Sequence, residues 1–213
     1  MIGIAQQVLI FAPCSDRSLW DRISAGLRDQ VINHLFVQAL IPGRAKVFGV
    51  FSMRLLKAKT LDFIGLNYYT RDYIRNRGFL LSDMLGGQSV LEKPRGRRNS
   101  LGWEIYPQGL HKLIKVFSKY KLPILISENG ICTDDDTERS EFIVDHLKAV
   151  ALAMKEGANV IGYLYWSLLD NYEWADGFAP RFGLIEVDYT TQGRKIRGSA
   201  RKFQEIIRAG KLI

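Results

Sequence analysis

The sequence predicts an α/β fold in which four βα units share one parallel sheet. Four short apolar runs, rich in Ile, Val, Leu or Tyr, predict strands at Ile2 to Phe11, Asp62 to Tyr68, Pro123 to Ser127 and Val160 to Trp166. Each run is followed by apolar residues spaced three or four positions apart, which is the period of a helix with one buried face. Alternating units of this kind imply a parallel sheet.

The helices that follow these strands carry start and stop signals. Ser18, Asp134 to Asp136 and Ser199 are placed to cap helix starts, whereas Gly157 and Gly210 are placed to end helices. The apolar positions that define the four helices are Trp20, Ile23, Leu27, Val31 and Leu35; Leu110, Leu113, Ile114 and Phe117; Ile143, Leu147, Val150, Ala151 and Met154; and Ala200, Phe203, Ile206 and Ile207.

The pattern of elements leaves two architectures open. Four βα units suit an open doubly wound sheet, and they also make half of a (β/α)8 barrel, which normally needs about 250 residues. No glycine-rich phosphate loop follows any of the four strands, so a nucleotide-binding open sheet loses support. A chain of 213 residues fits one domain or part of a larger one.

Composition and charge exclude several classes of protein. The formal net charge is +8, and part of the excess lies in the segment 71–98. A basic segment can mark a nucleic-acid partner, but this one is glycine-containing and lacks interleaved aromatic residues, so it predicts a solvated loop. No nucleic-acid partner is therefore expected. No membrane partner is expected either, because no run approaches the roughly 18 apolar residues of a membrane span.

The cysteines and histidines predict neither a disulfide framework nor a metal site. Cys14 and Cys132 are too few for such a framework, and reduced thiols are the expectation for a cytoplasmic protein. His111 and His146 fall within helical patterns, which favours positions on helix surfaces. The N-terminus lacks the basic start and cleavage site of a signal peptide, which also favours a cytoplasmic location.

The residues that can perform chemistry follow the predicted strands. Asn67 and Tyr69 lie at the end of the second run, Glu128 follows the third, and the segment 166–174 follows the fourth. The carboxyl ends of parallel strands meet at one edge of the sheet, where function is concentrated in both architectures. A mixture of Trp, Tyr, Asn and Glu suits a carbohydrate, since sugar faces stack on aromatic rings while hydroxyls need hydrogen-bonding partners.

Three motifs in this order resemble glycoside hydrolase family 1. Residues 62–70 resemble the family's sixth-strand motif, 123–130 its nucleophile signature on the seventh strand, and 162–174 its eighth-strand motif. Residues 102–107 and 177–189 continue the resemblance, which is good from about 60 to 209 and looser before 60. The resemblance implies that the four βα units correspond to the second half of a (β/α)8 TIM barrel, strands five to eight, so that residues 1–213 form a partial glycosidase domain.

The resemblance also implies roles for individual residues. Glu128 would be the nucleophile that forms a glycosyl-enzyme, and Tyr69 would donate a hydrogen bond that keeps Glu128 ionised and oriented. The carboxylate of Glu173 would repel a phosphate, which favours unphosphorylated β-glycosides or oligosaccharides. No metal or organic cofactor is implied, because the mechanism with two carboxyl groups needs none. The residues implied to contact the sugar are Asn67, Trp166, Glu173, Trp174 and Phe182.

Several residues near these motifs have ordinary structural interpretations. Tyr68 points opposite to Tyr69 on a strand and is expected in the core. Trp103 suits packing as well as the wall of a sugar subsite, and Glu104, in a predicted loop, is expected to be solvated. Asp170 is placed to cap or bridge loops.

The sequence contains one of the two expected catalytic carboxyl groups. Retaining glycosidases place a second carboxyl group, the acid/base, about 5–5.5 Å from the nucleophile. In this family it lies in an Asn-Glu-Pro motif, which these 213 residues lack. We therefore expect weak or no hydrolysis by this chain alone, and pairing with an N-terminal half-barrel or self-association. The alternatives are a non-catalytic sugar-binding module and, less favoured, a basic nucleic-acid-binding protein.

Overall fold

The computed structural model describes residues 1–47, 51–78 and 96–212 and centres on a four-stranded parallel sheet. Its strands, in spatial order, are β1 (Gly3–Pro13), β4 (Phe63–Ile74), β5 (Ile124–Asn129) and β6 (Val160–Tyr165). Two antiparallel hairpins accompany the sheet, and their strands are β2 (Arg44–Val47) with β3 (Phe51–Arg54), and β7 (Ile185–Val187) with β8 (Arg194–Ile196). The predicted α/β class with a parallel sheet is confirmed.

Helices follow the sheet strands in the described part of the chain. They are α1 (Leu19–Arg28), a π-helical segment (Asp29–His34), α2 (Leu35–Leu40), α3 (Pro107–Phe117), α4 (Asp136–Lys155) and α5 (Gly198–Ala209). The apolar stripe that predicts one helix after the first strand therefore spans three helical segments. Residues 44–54, which contain the first hairpin, contain no predicted element.

The helix ends follow the predicted caps with one exception. The hydroxyl of Ser18 accepts a hydrogen bond from the Asp21 amide, and Asp135 accepts the amides of the first turn of α4. Gly210 ends α5 in the left-handed conformation that glycine tolerates. The prediction for Ser199 was wrong, because Ser199 lies inside α5 and donates its buried hydroxyl to the Asp136 carboxylate instead.

The hydrophobic core lies between the sheet and the helices. Alternate residues of β4 and β5 point towards the helices, and Tyr68, predicted as a core residue, is fully buried. Its hydroxyl donates to the carbonyl oxygen of Tyr106, 2.7 Å away. The other fully buried residues of this layer include Ile64, Leu66, Leu110, Ile114, Phe117, Ile124 and Ile126. The opposite face of each strand is thereby free to carry polar side chains.

Three predictions about polar residues were wrong. Strand β4 continues to Ile74, so Arg71 belongs to a strand rather than to the predicted basic loop. Most of that predicted loop, residues 79–95, lies outside the described residues. Glu104 is buried rather than solvated, because it forms an ion pair with Arg71. His146 is fully buried between α4 and the core instead of lying on a helix surface.

The described residues contain neither a membrane-spanning helix nor a cluster of metal ligands. Within 1–47, 51–78 and 96–212, no helix combines the length and apolarity needed to cross a bilayer. The same residues contain no cluster of three or more His, Cys, Asp or Glu side chains that could hold a metal ion.

Candidate active site

The site is built from the middle of β4 and the carboxyl end of β5. The register of these parallel strands places Asn67 opposite Glu128. Tyr69 lies two residues further along β4, on the same face as Asn67, and its hydroxyl donates to Oε2 of Glu128 over 2.8 Å. The two residues predicted to be catalytic are thus in direct contact, although 59 positions separate them in the sequence.

The protonation of Tyr69 suits the role of donor. Burial of its ring, followed by the hydrogen bond to Glu128 and the charge of that carboxylate, raises the pKa of Tyr69 far above its ordinary value. The phenol therefore keeps its proton at any physiological pH. A charged carboxylate that accepts from a neutral phenol makes a stronger hydrogen bond than two neutral groups.

Hydrogen bonds fix the end of β5 on both sides of Glu128. Ser127 donates its hydroxyl to Oδ1 of Asn67 over 2.6 Å. Asn129 donates its amide to the carbonyl oxygen of Tyr68 over 2.7 Å and accepts the hydroxyl of Tyr163 over 2.7 Å. These bonds join β4, β5 and β6, so Glu128 stands on a strand whose neighbours on both sides are held. Ser127, Asn129 and Tyr163 were not predicted as site residues, although the first two flank Glu128 directly.

A second carboxylate lies beyond the end of β6. Indole Nε1 of Trp166 donates to Oε1 of Glu173 over 3.1 Å. The pKa of Glu173 is raised, chiefly by desolvation and also by the negative charges of Glu128 and Asp176, while the Trp166 bond acts in the opposite direction. The charge of Glu128 thus contributes to the raised pKa of Glu173.

Three aromatic rings form a wall beside the Tyr69–Glu128 bond. The ring of Tyr69 meets the ring of Trp103 edge-on with centroids 5.8 Å apart, and the ring of Phe182 with centroids 6.2 Å apart. Trp103 and Phe182 also contact each other, with centroids 6.2 Å apart. Such arrangements are favourable for aromatic pairs. Trp103 thus packs against the site, a geometry that is compatible with both interpretations offered by the sequence.

Asp170 organises the loops behind the site, as its predicted bridging role requires. Its buried carboxylate accepts the amides of Gly183 and Val187 and both terminal nitrogens of Arg197. Although burial alone raises it, the pKa of Asp170 is held below its ordinary value by the bonds from Arg197 and Gly183. The loop after β6, the β7–β8 hairpin and the start of α5 are therefore held together by one charged group.

The structure brings together most of the predicted site residues. One connected group contains Asn67, Tyr69, Glu128 and Phe182. A second group contains Trp166 and Glu173, and the pKa of Glu173 responds to the charge of Glu128 in the first group. Trp174 differs, because its side chain is 81% exposed.

Known proteins with similar sequences and structures identify the family. The sequence model described as "Glycosyl hydrolase family 1" matches residues 19–212. A β-galactosidase from Sulfolobus acidocaldarius is 43% identical over 162 residues, which make up 70% of this chain and 32% of that protein. Beta-glucosidase A from Acetivibrio thermocellus is 36% identical over 231 residues, covering 97% of this chain and 51% of that protein.

Solved structures agree with these sequences. A β-glycosidase from Pyrococcus horikoshii has a TM-score of 0.88 and 39% identity, covering 99% of this chain and 49% of that one. A family 1 β-glucosidase from Thermotoga maritima has a TM-score of 0.87 and 27% identity, covering 99% and 51%. The chain thus spans between about a third and a half of the length of these relatives. This chain belongs to glycosyl hydrolase family 1.

Proposed function

We propose that these 213 residues supply the nucleophile half of a retaining β-glycosidase that acts on unphosphorylated β-glycosides. The observation that carries the proposal is the 2.8 Å hydrogen bond from Tyr69 to Glu128, which joins the neighbouring parallel strands β4 and β5. A carboxylate held by a neutral donor at the carboxyl edge of such a sheet is suited to nucleophilic attack.

The proposed chemistry begins with Glu128. Tyr69 occupies Oε2 of this carboxylate, so Oε1 is the oxygen free to attack the anomeric carbon. A covalent glycosyl-enzyme forms as the aglycone leaves, and water then releases the sugar with retention of configuration. A second carboxyl group protonates the leaving oxygen and later activates the water, a contribution of typically 10²–10⁴-fold.

The proposed sugar contacts surround the nucleophile. Trp166 donates to Oε1 of Glu173, which leaves Oε2 of that carboxylate free to accept a sugar hydroxyl, with Asn67 bordering the same pocket. Trp174 is positioned at an exposed rim. A carboxylate at Glu173 disfavours a phosphorylated sugar. The names of the relatives, β-galactosidase and β-glucosidase, support galactosides and glucosides as the first substrates to test.

The proposed architecture is strands five to eight of a (β/α)8 barrel. The four parallel strands, their helices and the coverage of about half of each solved relative support this correspondence. Within the described residues, β1 and β6 are the edges of the sheet, and apolar side chains are exposed beside both, including Phe36 near β1 and Ile161 on β6. We therefore propose that a complementary half-barrel, with the acid/base carboxyl group, docks on these edges.

The proposed nucleophile can be tested without the acid/base group. A 2-deoxy-2-fluoro β-glucoside or β-galactoside with an activated leaving group needs little protonation, and its glycosyl-enzyme breaks down slowly. Intact mass should rise by one fluoro-sugar, peptide mapping should place it on Glu128, and Glu128→Gln should abolish it. The chain should be tested alone and mixed with the N-terminal half of a relative. Failure of wild type to react in both conditions, or an adduct elsewhere, would refute the proposal.

A non-catalytic sugar-binding module is the second candidate. The observation that favours it is the absence of an Asn-Glu-Pro motif from the 213 residues. Saccharide binding seen by NMR, without any adduct on Glu128, would support this candidate. Light scattering of the same samples distinguishes a monomer, a self-associated dimer and a complex with the added half-barrel.

A further inference from the structure

A buried ion pair lies beside the site and has no part in the chemistry proposed above. Arg71 Nε donates to Oε2 of Glu104 over 2.5 Å, and its Nη2 donates to Oε1 over 2.8 Å. The side chain of Glu104 is 3% exposed and that of Arg71 is 19% exposed, so the carboxylate is shielded from water and the guanidinium is partly buried. Both carboxylate oxygens are occupied, which fixes the direction as well as the distance between the two side chains.

The pair joins two of the three segments that carry the aromatic wall, those of Tyr69 and Trp103. Arg71 follows Tyr69 by two residues on β4, and Glu104 directly follows Trp103 in the segment before α3. The hydroxyl of Thr70 adds a second link, since it donates to the carbonyl oxygen of Glu104 over 2.9 Å. The strand that carries the donor to the nucleophile is thereby tied to the segment that carries Trp103.

A third link involves the ring of Tyr106. The guanidinium of Arg71 lies over this ring, 4.0 Å from its centroid, and the Tyr106 carbonyl accepts the hydroxyl of Tyr68. The planar guanidinium therefore makes a bidentate pair and a stacked contact at once, which lysine cannot reproduce. The segment 104–106 is held by three positions of β4, namely 68, 70 and 71.

We propose that Arg71 and Glu104 are positioning residues that hold Trp103 against the ring of Tyr69, so that the Tyr69 hydroxyl stays on Glu128. The significance for catalysis rests on the proposed function. The Tyr69 ring is confined by Trp103 and Phe182, with centroids 5.8 Å and 6.2 Å away. Its hydroxyl is at the far end of the ring, so a small tilt of the ring lengthens the bond to Glu128.

Burial explains why an ion pair is suited to this task. An ion pair with a buried carboxylate contributes little net stability over well-packed apolar groups, because the buried charge has lost its hydration. Their bidentate geometry instead restricts how the two segments can lie relative to each other. A pair that mainly restricts geometry is expected at a place where the position of a side chain matters, and here that side chain is Trp103.

The contact itself can be tested without any enzymatic activity. The full chain would be labelled with 5-fluorotryptophan, and the fluorine resonance of Trp103 assigned with Trp103→Phe. Glu104→Gln should shift or broaden that resonance and leave that of the distant Trp20 unchanged. Arg71→Lys serves as a second variant in case Glu104→Gln does not fold. It keeps both charges but loses the bidentate hydrogen bonds of the guanidinium. Circular dichroism checks the fold of each variant.

The matched control lies in the same segment of the chain. Arg97 forms an exposed ion pair with Glu141 over 2.8 Å, so Glu141→Gln also removes a charge that anchors this segment. It should leave the Trp103 resonance unchanged. An unchanged resonance in both folded variants, Glu104→Gln and Arg71→Lys, would overturn the proposal, as would an equal effect of Glu141→Gln.

The effect on Tyr69 is tested with the fluoro-glycoside. Glu104→Gln should lower the maximal rate of adduct formation about 10-fold to 100-fold, as small misplacements do, with little change in the half-saturating concentration. Combined with Tyr69→Phe it should add almost nothing to the effect of Tyr69→Phe alone, because both act through one hydroxyl. Multiplicative effects would overturn the proposal. If wild type forms no adduct, the proposed function fails, while the fluorine spectra still decide whether the pair positions Trp103.

Discussion

The burial of His146 predicts a specific loss of stability in mild acid. Nδ1 of His146 lies 2.9 Å from the Phe142 carbonyl oxygen, and its ring stacks on that of Phe142 with centroids 3.8 Å apart. Burial lowers the pKa of His146 from 6.5 to about 4. The unfolded chain therefore binds the proton first, so stability is complete above about pH 6.5 and falls between 6.5 and 4.

The size of the loss follows from the two pKa values. The difference of about 2.5 units corresponds to about 3 kcal/mol in total, since one unit is worth about 1.4 kcal/mol. Between pH 7.5 and pH 5 the loss is about 2 kcal/mol, because the shift is only partly expressed at pH 5.

Urea unfolding at pH 7.5 and pH 5, followed by circular dichroism, measures this loss. His146→Leu should reduce the loss by about 2 kcal/mol, whatever its own cost in stability at pH 7.5. His111→Gln is the matched control on a partly exposed histidine and should keep most of the wild-type pH dependence. An equal pH dependence in wild type and His146→Leu would refute the assignment of this loss to His146.

Three further substitutions have outcomes that the structure fixes. Tyr69→Phe should slow adduct formation about 10-fold or more in the fluoro-glycoside assay, because the nucleophile loses its donor. Asp170→Asn should lower the free energy of unfolding by about 3–5 kcal/mol in urea titrations, since the charge of Arg197 is left buried without its partner. Gly130→Ala should destabilise the fold by about 2 kcal/mol or more, because a methyl group would overlap the carbonyl oxygen of Trp166. An unchanged urea midpoint in Asp170→Asn or Gly130→Ala would contradict the contact that the variant removes or crowds.

The pairing of Tyr69 with Glu128 was implied by the resemblance to glycoside hydrolase family 1, and the pattern of strands agrees with it. Both follow apolar runs that predict buried strands, and parallel strands bring their carboxyl ends to one edge. The period of two along a strand then separates Tyr69 from the core residue Tyr68. Periodicity and strand direction are local properties, so a single sequence can reveal them.

The ion pair of Arg71 with Glu104 was beyond the reach of the sequence. The two residues are 33 positions apart, and each alone has the signature of a solvated charge. His146 was misplaced for a related reason, because its burial depends on the packing of α4 against β4 rather than on the residues around it. Charged and polar groups become buried through partners that are distant in the sequence, and composition does not identify those partners.

The register of β1 against β4 shifts between Val8 and Ile10, and this bulge has a consequence for how other strands can meet the sheet. At the bulge, the side chain of Asn33 accepts from the amide of Leu9 over 3.1 Å and donates to its carbonyl oxygen over 2.7 Å. The asparagine thus occupies the two main-chain groups that a neighbouring strand would use. A ladder between an incoming strand and β1 is therefore interrupted at Leu9, which shortens the continuous edge that is open to the stacking found in fibres.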